Sequence, residues 1–474
     1  MTKRIYSIIL LLVLMIVPLA SSCIEDDFTT NPNDQPTFSV DTLKMGLTFT
    51  QWPTPTHSFK VYNPHDKVMS ISSITLRDDD EGLFRLNVDG IGGETFNNVE
   101  IRPNDSIFVF VEATLPQNGS ALPVNLKRHI DFITNGVAQT VVLSIDGQDV
   151  ERRTGIVIDR DTRWNANLPY QVFDSLIVAK GTTLTLDAGV TLHFHDKAFM
   201  RVDGTLRCEG TVEKPINFTG DRTDDILSDT PYDLMSGQWE GIRFTSSSRN
   251  NHISHTSIRN THYGVIVDSV GATETPAIYL LNSQLRNSIG SVFTVSHADV
   301  VAVGCEFAEA GSNVVNLRGG NHIFNHCTFA NYYLFAATSG TLIMLSHLDE
   351  NSDDLSGQPY TSADITNCIL YGNSTELSHG DLIGTNIYLR RCLLRSAGTD
   401  DENFIDCIWD ADPLYYTVRN EYIFDYRLKD ESPAIGAANP ALTRPDATVD
   451  YYGLSRGTAP DLGAYVYTPS TPTP

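Results

Sequence analysis

The chain is 474 residues long, 41% hydrophobic, and carries 33 basic against 58 acidic side chains, a net charge of −25. A surface this acidic disfavours nucleic acid, anionic lipid surfaces and polyanionic glycans, because each would meet like charge. The length suits two or three domains and the apolar fraction is ample for buried cores.

The first predicted element is an export signal. Lys3 and Arg4 precede an unbroken apolar run from Ile8 to Val17, and small residues then lead to Cys23. Such a run is too short for a membrane-crossing helix, which needs roughly 20 residues, and residues 1–22 have the layout of a cleaved secretory signal. The stretch PLASSCIEDD resembles a lipobox, with the departure that Leu19 lies four residues before the cysteine and Ala20 takes the usual bulky place. The resemblance implies that the Cys23 thiol is acylated and attaches the protein to a membrane. Ile24, Glu25, Asp26 and Asp27 resemble the acid-after-cysteine signal that sends some Gram-negative lipoproteins to the outer face of the outer membrane. Removing residues 1–22 takes away only Lys3 and Arg4 and leaves a net charge of −27. Residues 23–36, with TTNPNDQP, read as a linker.

Residues 37–150 show short strands separated by turns: HSFKVYNP, SISSITL, LFRLNVDG, VEIRPNDSIFVFVEA, RHIDFITNG and QTVVLSIDG. Ile107, Val109 and Val111 alternate with Phe108 and Phe110, and breaks fall at Asn63-Pro64, Asp78 to Gly82, Pro103-Asn104 and Asn135-Gly136. Strands of this number without a helical period predict an antiparallel sandwich. The segment order, with IRPNDS leading into a long strand and FITNG…VVLSIDG closing, resembles the immunoglobulin-like domains that follow the anchor in many exported bacterial proteins. Asp78, Asp79, Asp80 and Glu81 are the acids there that could hold calcium; consecutive carboxylates on one turn read instead as a solvated loop.

Residues 151–466 follow a different rule. Leu184, Leu186, Val190, Leu192 and Phe194 alternate, and glycines at 181, 189, 204, 210 and 220 punctuate very short strands. A small-x-apolar pattern then recurs at Thr256, Ser283, Cys305, Cys327, Cys368 and Cys392, at intervals of 27, 22, 22, 41 and 24 residues. Three residues before each anchor stands another apolar side chain: Ile253, Leu280, Ala302, Phe324, Ile365 and Leu389. The interval of 41 leaves room for an extra coil through TLIMLS, residues 341–346. This period predicts a parallel β-helix, in which each coil buries its inward side chains against its neighbours. Anchor cysteines would stack as buried free thiols, with Cys208 and Cys407 outside their ladder. Asn260, Asn287 and Asn331 recur four residues after their anchors and read as turn asparagines.

The run from TRW (162–164) through LTLDAGVTLHF, MRVDGTLRCEGTVEKPINFTG and GQWEGIRF resembles the opening coils of right-handed β-helix repeat proteins exported by gut-type Gram-negative bacteria. Their C-terminal segment is similar to Ser432-Pro433-Ala434-Ile435, Asp450, Gly453, Arg456 and Asp461-Leu462-Gly463-Ala464-Tyr465, with Gly436 and Val466 departing from the usual residues. The resemblance implies an all-β chain: an N-terminal immunoglobulin-like β-sandwich, a right-handed parallel β-helix with its own C-terminal cap, and a disordered tail at 467–474. It implies little about activity, because the fold hosts lyases, hydrolases, adhesins and scaffolds.

The chemistry must therefore come from residues. A polygalacturonase-like hydrolase needs paired carboxylates; Asp353-Asp354 and Ser378-His379-Gly380 are present, without the Asn-Thr-Asp and Arg-x-Lys elements of that family. A pectate-lyase-like enzyme needs aspartates gathered around calcium beside a basic residue. Asp268, His297 and Arg318 form a mixed series, and Asp221, Asp224, Asp225, Asp229 and Asp233 fall within one insertion. Trp239 reads as a packing residue, and the pairs His252/His255 and His322/His326 do not converge on short strands as zinc ligands would. No catalytic, metal or cofactor residue is assigned. The sequence leans toward a monomeric surface lipoprotein that binds a glycan or a surface protein without catalysis, with a polysaccharide lyase or hydrolase acting in the β-helix groove, or a structural envelope component, as alternatives.

Overall fold

The computed structural model describes residues 27–227, 230–270, 275–346, 361–378 and 382–469, so Cys23 lies outside it. The chain is nearly all β and divides into two compact units between Gln148 and Asp149.

In the first unit, two five-stranded sheets enclose one core. One runs in the order Thr37–Phe38, His57–Tyr62, Ser106–Ala113, Phe84–Val88, Ile91–Gly93; the other runs Thr42–Phe49, Val137–Gln148, Val124–Thr134, Met69–Arg77, Thr95–Ile101. Neighbours are antiparallel except for the parallel pairing of Thr42–Phe49 with Val137–Gln148. The alternation read in the sequence decides which side chains point inward: Val109 and Val111 are buried, whereas Phe108 and Phe110 stack on the open face at 5.6 Å. Part of the expected linker is packed down. Phe28 bridges to Val68, Thr29 is buried, and Asn135 Nδ2 donates to the carbonyls of Asn31 and Asp34, each at 3.0 Å. The acidic turn is also less solvated than expected. Asp79 is almost enclosed, accepts from the Phe84 amide at 2.9 Å and faces Arg128, and Asp78 pairs with His129.

The second unit is built from parallel ladders, curled almost back on themselves in a manner consistent with a parallel β-helix. A ten-stranded ladder runs from Thr162–Trp164 to Phe404–Ile405. Two more branch from the long strand Tyr170–Val178, whose residues 170–172 pair with Thr191–Phe194 and 175–178 with Phe199–Val202. Asp174, with φ of 63°, makes the bend between them. The second ladder continues through Thr256–Ile258, Gln284–Ser288, Glu306–Ala310, Thr328–Asn331 and Ile369–Gly372; the third continues through Val265–Val267, Phe293–Ser296, Val315–Arg318 and Thr341–Ser346. Each circuit lays Val, Leu, Ile and Phe on those of the circuit before, giving one continuous core.

Two expectations about the repeat need correction. TLIMLS forms no extra circuit. Phe329 pairs directly with Leu370, and residues 341–346 supply the third-ladder strand of the Cys327 circuit, so the interval of 41 is a longer excursion within one turn of the chain. Cys407 extends the cysteine stack instead of standing outside it, following Cys392 with Phe404 in register with Leu389. Cys208 does stand outside that stack, in the ten-stranded ladder in register with Leu186 and Ile253. All six described cysteines are free, and burial pushes Cys208 and Cys407 above the ordinary thiol range, Cys407 to about 12.

The C-terminal segment is a strap along the side of the ladder rather than a cover on its end. Tyr415, Tyr426, Leu428, Ala434, Leu462, Ala464 and Tyr465 form a second apolar cluster on the outward Ala308, Ala330, Ile369 and Leu393, which belong to successive rungs. Its polar residues lock it in place. Asp450 is buried and accepts from the amides of Tyr452, Leu454 and Val466, and Arg456 donates to the carbonyls of Gly463 and Ala464. Gly463, with φ of 83°, lies so close to the ladder that a Cβ would stand 2.7 Å from Thr328 Oγ1.

Candidate functional site

The strap and the ladder enclose a pocket of about 240 Å³ at the turn that follows the second ladder. Its floor comes from adjacent rungs and carries Arg286, Asn287 and Glu309; Asp233, Leu234 and Arg259 form one side. Four aromatic residues, Tyr333, Phe335, Tyr422 and Phe424, complete the lining. Phe335 stacks on Tyr422 at 6.4 Å and meets Tyr333 edge-on at 6.1 Å, and Arg419 holds the aromatic loop by donating to the Tyr332 and Tyr333 carbonyls.

The turn itself explains the floor. Four residues after the first three anchors the chain takes a left-handed conformation, with φ of 65° at Asn260, 60° at Asn287 and 61° at Glu309. Asparagine tolerates this region and its amide can satisfy nearby backbone groups. Asn260 Nδ2 donates to the Met235 carbonyl at 2.9 Å and Asn287 Nδ2 to that of Leu234 at 2.8 Å, so the asparagine ladder fastens the insertion that makes one wall. Glu309 breaks the series with a buried acid. Its Oε1 accepts from the Tyr426 hydroxyl and, at 3.1 Å, from the Tyr332 amide, while Oε2 has no hydrogen-bond partner among the described residues. Burial raises its pKa to about 7 against the lowering effect of those two donors.

The neighbouring charges are paired. Arg286 Nη2 lies 2.5 Å from Glu306 Oε1, and the Tyr465 hydroxyl donates to Glu306 Oε2 while accepting from Gln284 Nε2 at 2.6 Å. Burial is the largest influence and opposes the Arg286 charge, but Glu306 together with Tyr465, Tyr426 and Tyr452 outweighs it and keeps the guanidinium protonated. Arg259 Nη1 pairs with Asp233 Oδ2 at 2.8 Å. Among the carboxyls lining the pocket or directly beneath it, Glu309 alone has no cationic side chain paired with it.

The residues considered from sequence are placed elsewhere. Asp268 pairs with Arg243 at 2.9 Å, Asp221 with His195 at 2.8 Å and Asp224 with Arg222. Trp239 is a packing residue, stacked on Phe194 at 4.1 Å. His322 and His326 are buried; His326 bonds Thr443 and the Asp461 carbonyl in the strap. Asp229, Asp353, Asp354, His379 and Gly380 lie outside the described residues. Among the described residues no three His, Cys, Asp or Glu side chains converge as metal ligands, including Asp78 to Glu81, which were considered for calcium. The sequence did hold a sign of Glu309: it occupies the place of the recurring asparagines.

No family model matches the chain, and neither does any curated protein. Among solved structures it is similar to a family 123 glycoside hydrolase from Clostridium perfringens, described for glycolipid glycan hydrolysis, at 9% identity and a TM-score of 0.17. That likeness covers 24% of this chain and 26% of the hydrolase, so the chain spans about a quarter of its length. At this TM-score the likeness carries no argument about fold or activity.

Proposed function

We propose that this protein is an outer-membrane lipoprotein, attached through Cys23 and exposed at the cell surface, in which an immunoglobulin-like sandwich precedes a right-handed parallel β-helix that binds carbohydrate without catalysis. The observation that carries the reading is the pocket in which Tyr333, Phe335, Tyr422 and Phe424 surround a polar floor. Aromatic faces take the C–H face of a sugar ring, and a few placed polar groups select its substituents. Its 240 Å³ falls below the roughly 300–1,000 Å³ of a drug-sized ligand site and suits one sugar ring. A glycan panel probed with the chain from Ile24 onward tests it. Binding is expected, together with its loss in Phe335→Ala and Tyr422→Ala; silence across the panel would remove the reading.

A carbohydrate-active enzyme is the second reading, favoured by the buried acid in the pocket. It is the weaker one because glycoside hydrolysis by the common routes takes two working carboxyls, and Glu306 and Asp233 are each engaged by an arginine. Shortened or unsaturated products from the same panel would reverse the order.

A further inference from the structure

We infer that Glu309 is the specificity-determining group of the pocket, presenting an Oε2–H donor to a neutral sugar that carries a carbonyl acceptor, an N-acylated amino sugar. This rests on the carbohydrate-binding reading and says which sugar the site takes and in which protonation state.

The geometry places the proton. Oε1 is occupied by two donors, the Tyr426 hydroxyl and the Tyr332 amide. The Tyr426 hydroxyl keeps its own proton, because burial holds it well above the ordinary tyrosine range. A proton on the Glu309 carboxyl therefore sits on Oε2, the atom with no hydrogen-bond partner among the described residues. A buried donor without a partner costs free energy that a ligand acceptor recovers, which makes such a group a strong discriminator between ligands that offer the acceptor and those that lack it.

The surrounding charges select a neutral ligand. Arg286 faces Glu309 from the preceding rung and Glu306 lies on the same strand, with Tyr426 from the strap, Tyr332 from the aromatic loop, and Asp233 and Arg259 across the pocket. Both arginines are paired with carboxylates, so an anionic sugar would gain no unengaged cation, while its charge would meet a strongly acidic protein. An amide carbonyl is a strong neutral acceptor, and its acyl methyl would find the aromatic wall.

The test is binding of an N-acetylhexosamine oligosaccharide and of the matching unacylated hexose oligosaccharide between pH 5.5 and 8.5, with the chain from Ile24 onward, Glu309→Gln and Tyr426→Phe. Glutamine copies the protonated acid: its Oε1 accepts from Tyr426 and Tyr332, and its Nε2 donates where Oε2–H did. The wild type is expected to prefer the acylated sugar and to lose affinity about tenfold per pH unit above the Glu309 transition, as the loss of one linked proton requires. Glu309→Gln should keep the preference with a flat pH profile, and Tyr426→Phe, by removing a bond that favours the carboxylate, should move the transition upward. A flat wild-type profile, a Glu309→Gln profile that tracks the wild type, or equal binding of both sugars would overturn the inference while leaving carbohydrate binding intact. Absence of binding to any glycan would overturn both.

Discussion

Glu309 stands in the same left-handed turn, one rung on, that Asn287 fills, their φ angles differing by one degree. One side chain fastens a wall and the other introduces an acid where the ladder would otherwise repeat. That difference should be visible in stability as well as in binding. An acid whose folded pKa is raised holds its proton in the folded state between the unfolded value and the folded one, so stability falls as pH rises through that window. With values of 4.5 and about 7, Glu309 contributes a loss of ~3 kcal/mol from pH 4.5 to 7, and Glu309→Gln should remove it. Urea titrations at successive pH values measure the difference; parallel curves for the two proteins would exclude the shift.

His322 should produce the opposite slope. Burial lowers its pKa from 6.5 to about 4, against a bond to the Gly319 carbonyl at 3.0 Å, so the unfolded chain binds the extra proton and stability is lost as pH falls from 6.5 toward 4. His322→Gln should flatten the profile by ~1.4 kcal/mol per pH unit there. The two single variants, read against the wild type, separate terms that oppose each other in the unmodified protein.

The repeat was legible in the sequence because neighbouring circuits place like residues at like positions. Thr256, Ser283 and the cysteines occur at intervals that the parallel ladders impose, and their inward faces follow from alternation. The strap's path was not legible, since Tyr465 and Glu306 are 159 residues apart and no period relates them. TLIMLS was misplaced for a related reason: an excursion within a circuit and an added circuit have the same length, and only pairing distinguishes them. The pocket needs both the strap and the ladder, so its aromatic residues carried no sequence signal, whereas the Asn, Asn, Glu, Asn series did mark its acid.

Gly463→Ala should detach the strap while sparing the ladders. The new Cβ would meet Thr328 Oγ1 and, at 2.8 Å, Ile369 Cδ1 in a backbone conformation that disfavours a side chain. The cost is on the order of 2–3 kcal/mol. Far-ultraviolet circular dichroism should be nearly unchanged while limited proteolysis cuts the strap early; resistance equal to the wild type would show that the contact is relieved cheaply.

The cysteine stack predicts chemical silence. Five of the six described thiols are buried and none is paired, so a disulfide reagent at neutral pH should react slowly with the native protein and with six groups per chain, from Ile24 onward, after unfolding. Rapid labelling of the native state would contradict the burial of the stack, and a change of melting temperature on adding reductant would reveal a bridge.

Attachment is tested separately. Cys23→Ala should move the protein from the membrane fraction to the soluble fraction without altering its melting temperature, and protease added to intact cells should digest the wild type if it faces outward. Continued membrane association of the variant would remove the lipid anchor.

The strap also imposes an order of events. A chain made from its N-terminus can stack its rungs as they emerge, but Glu309 waits for the Tyr426 hydroxyl and Glu306 for that of Tyr465. Until then the outward row of Ala308, Ala330, Ile369 and Leu393 is bare. A molecule interrupted before the strap would thus leave that apolar row open and lack Tyr422 and Phe424 of the pocket wall, so the pocket exists only once the strap has been made.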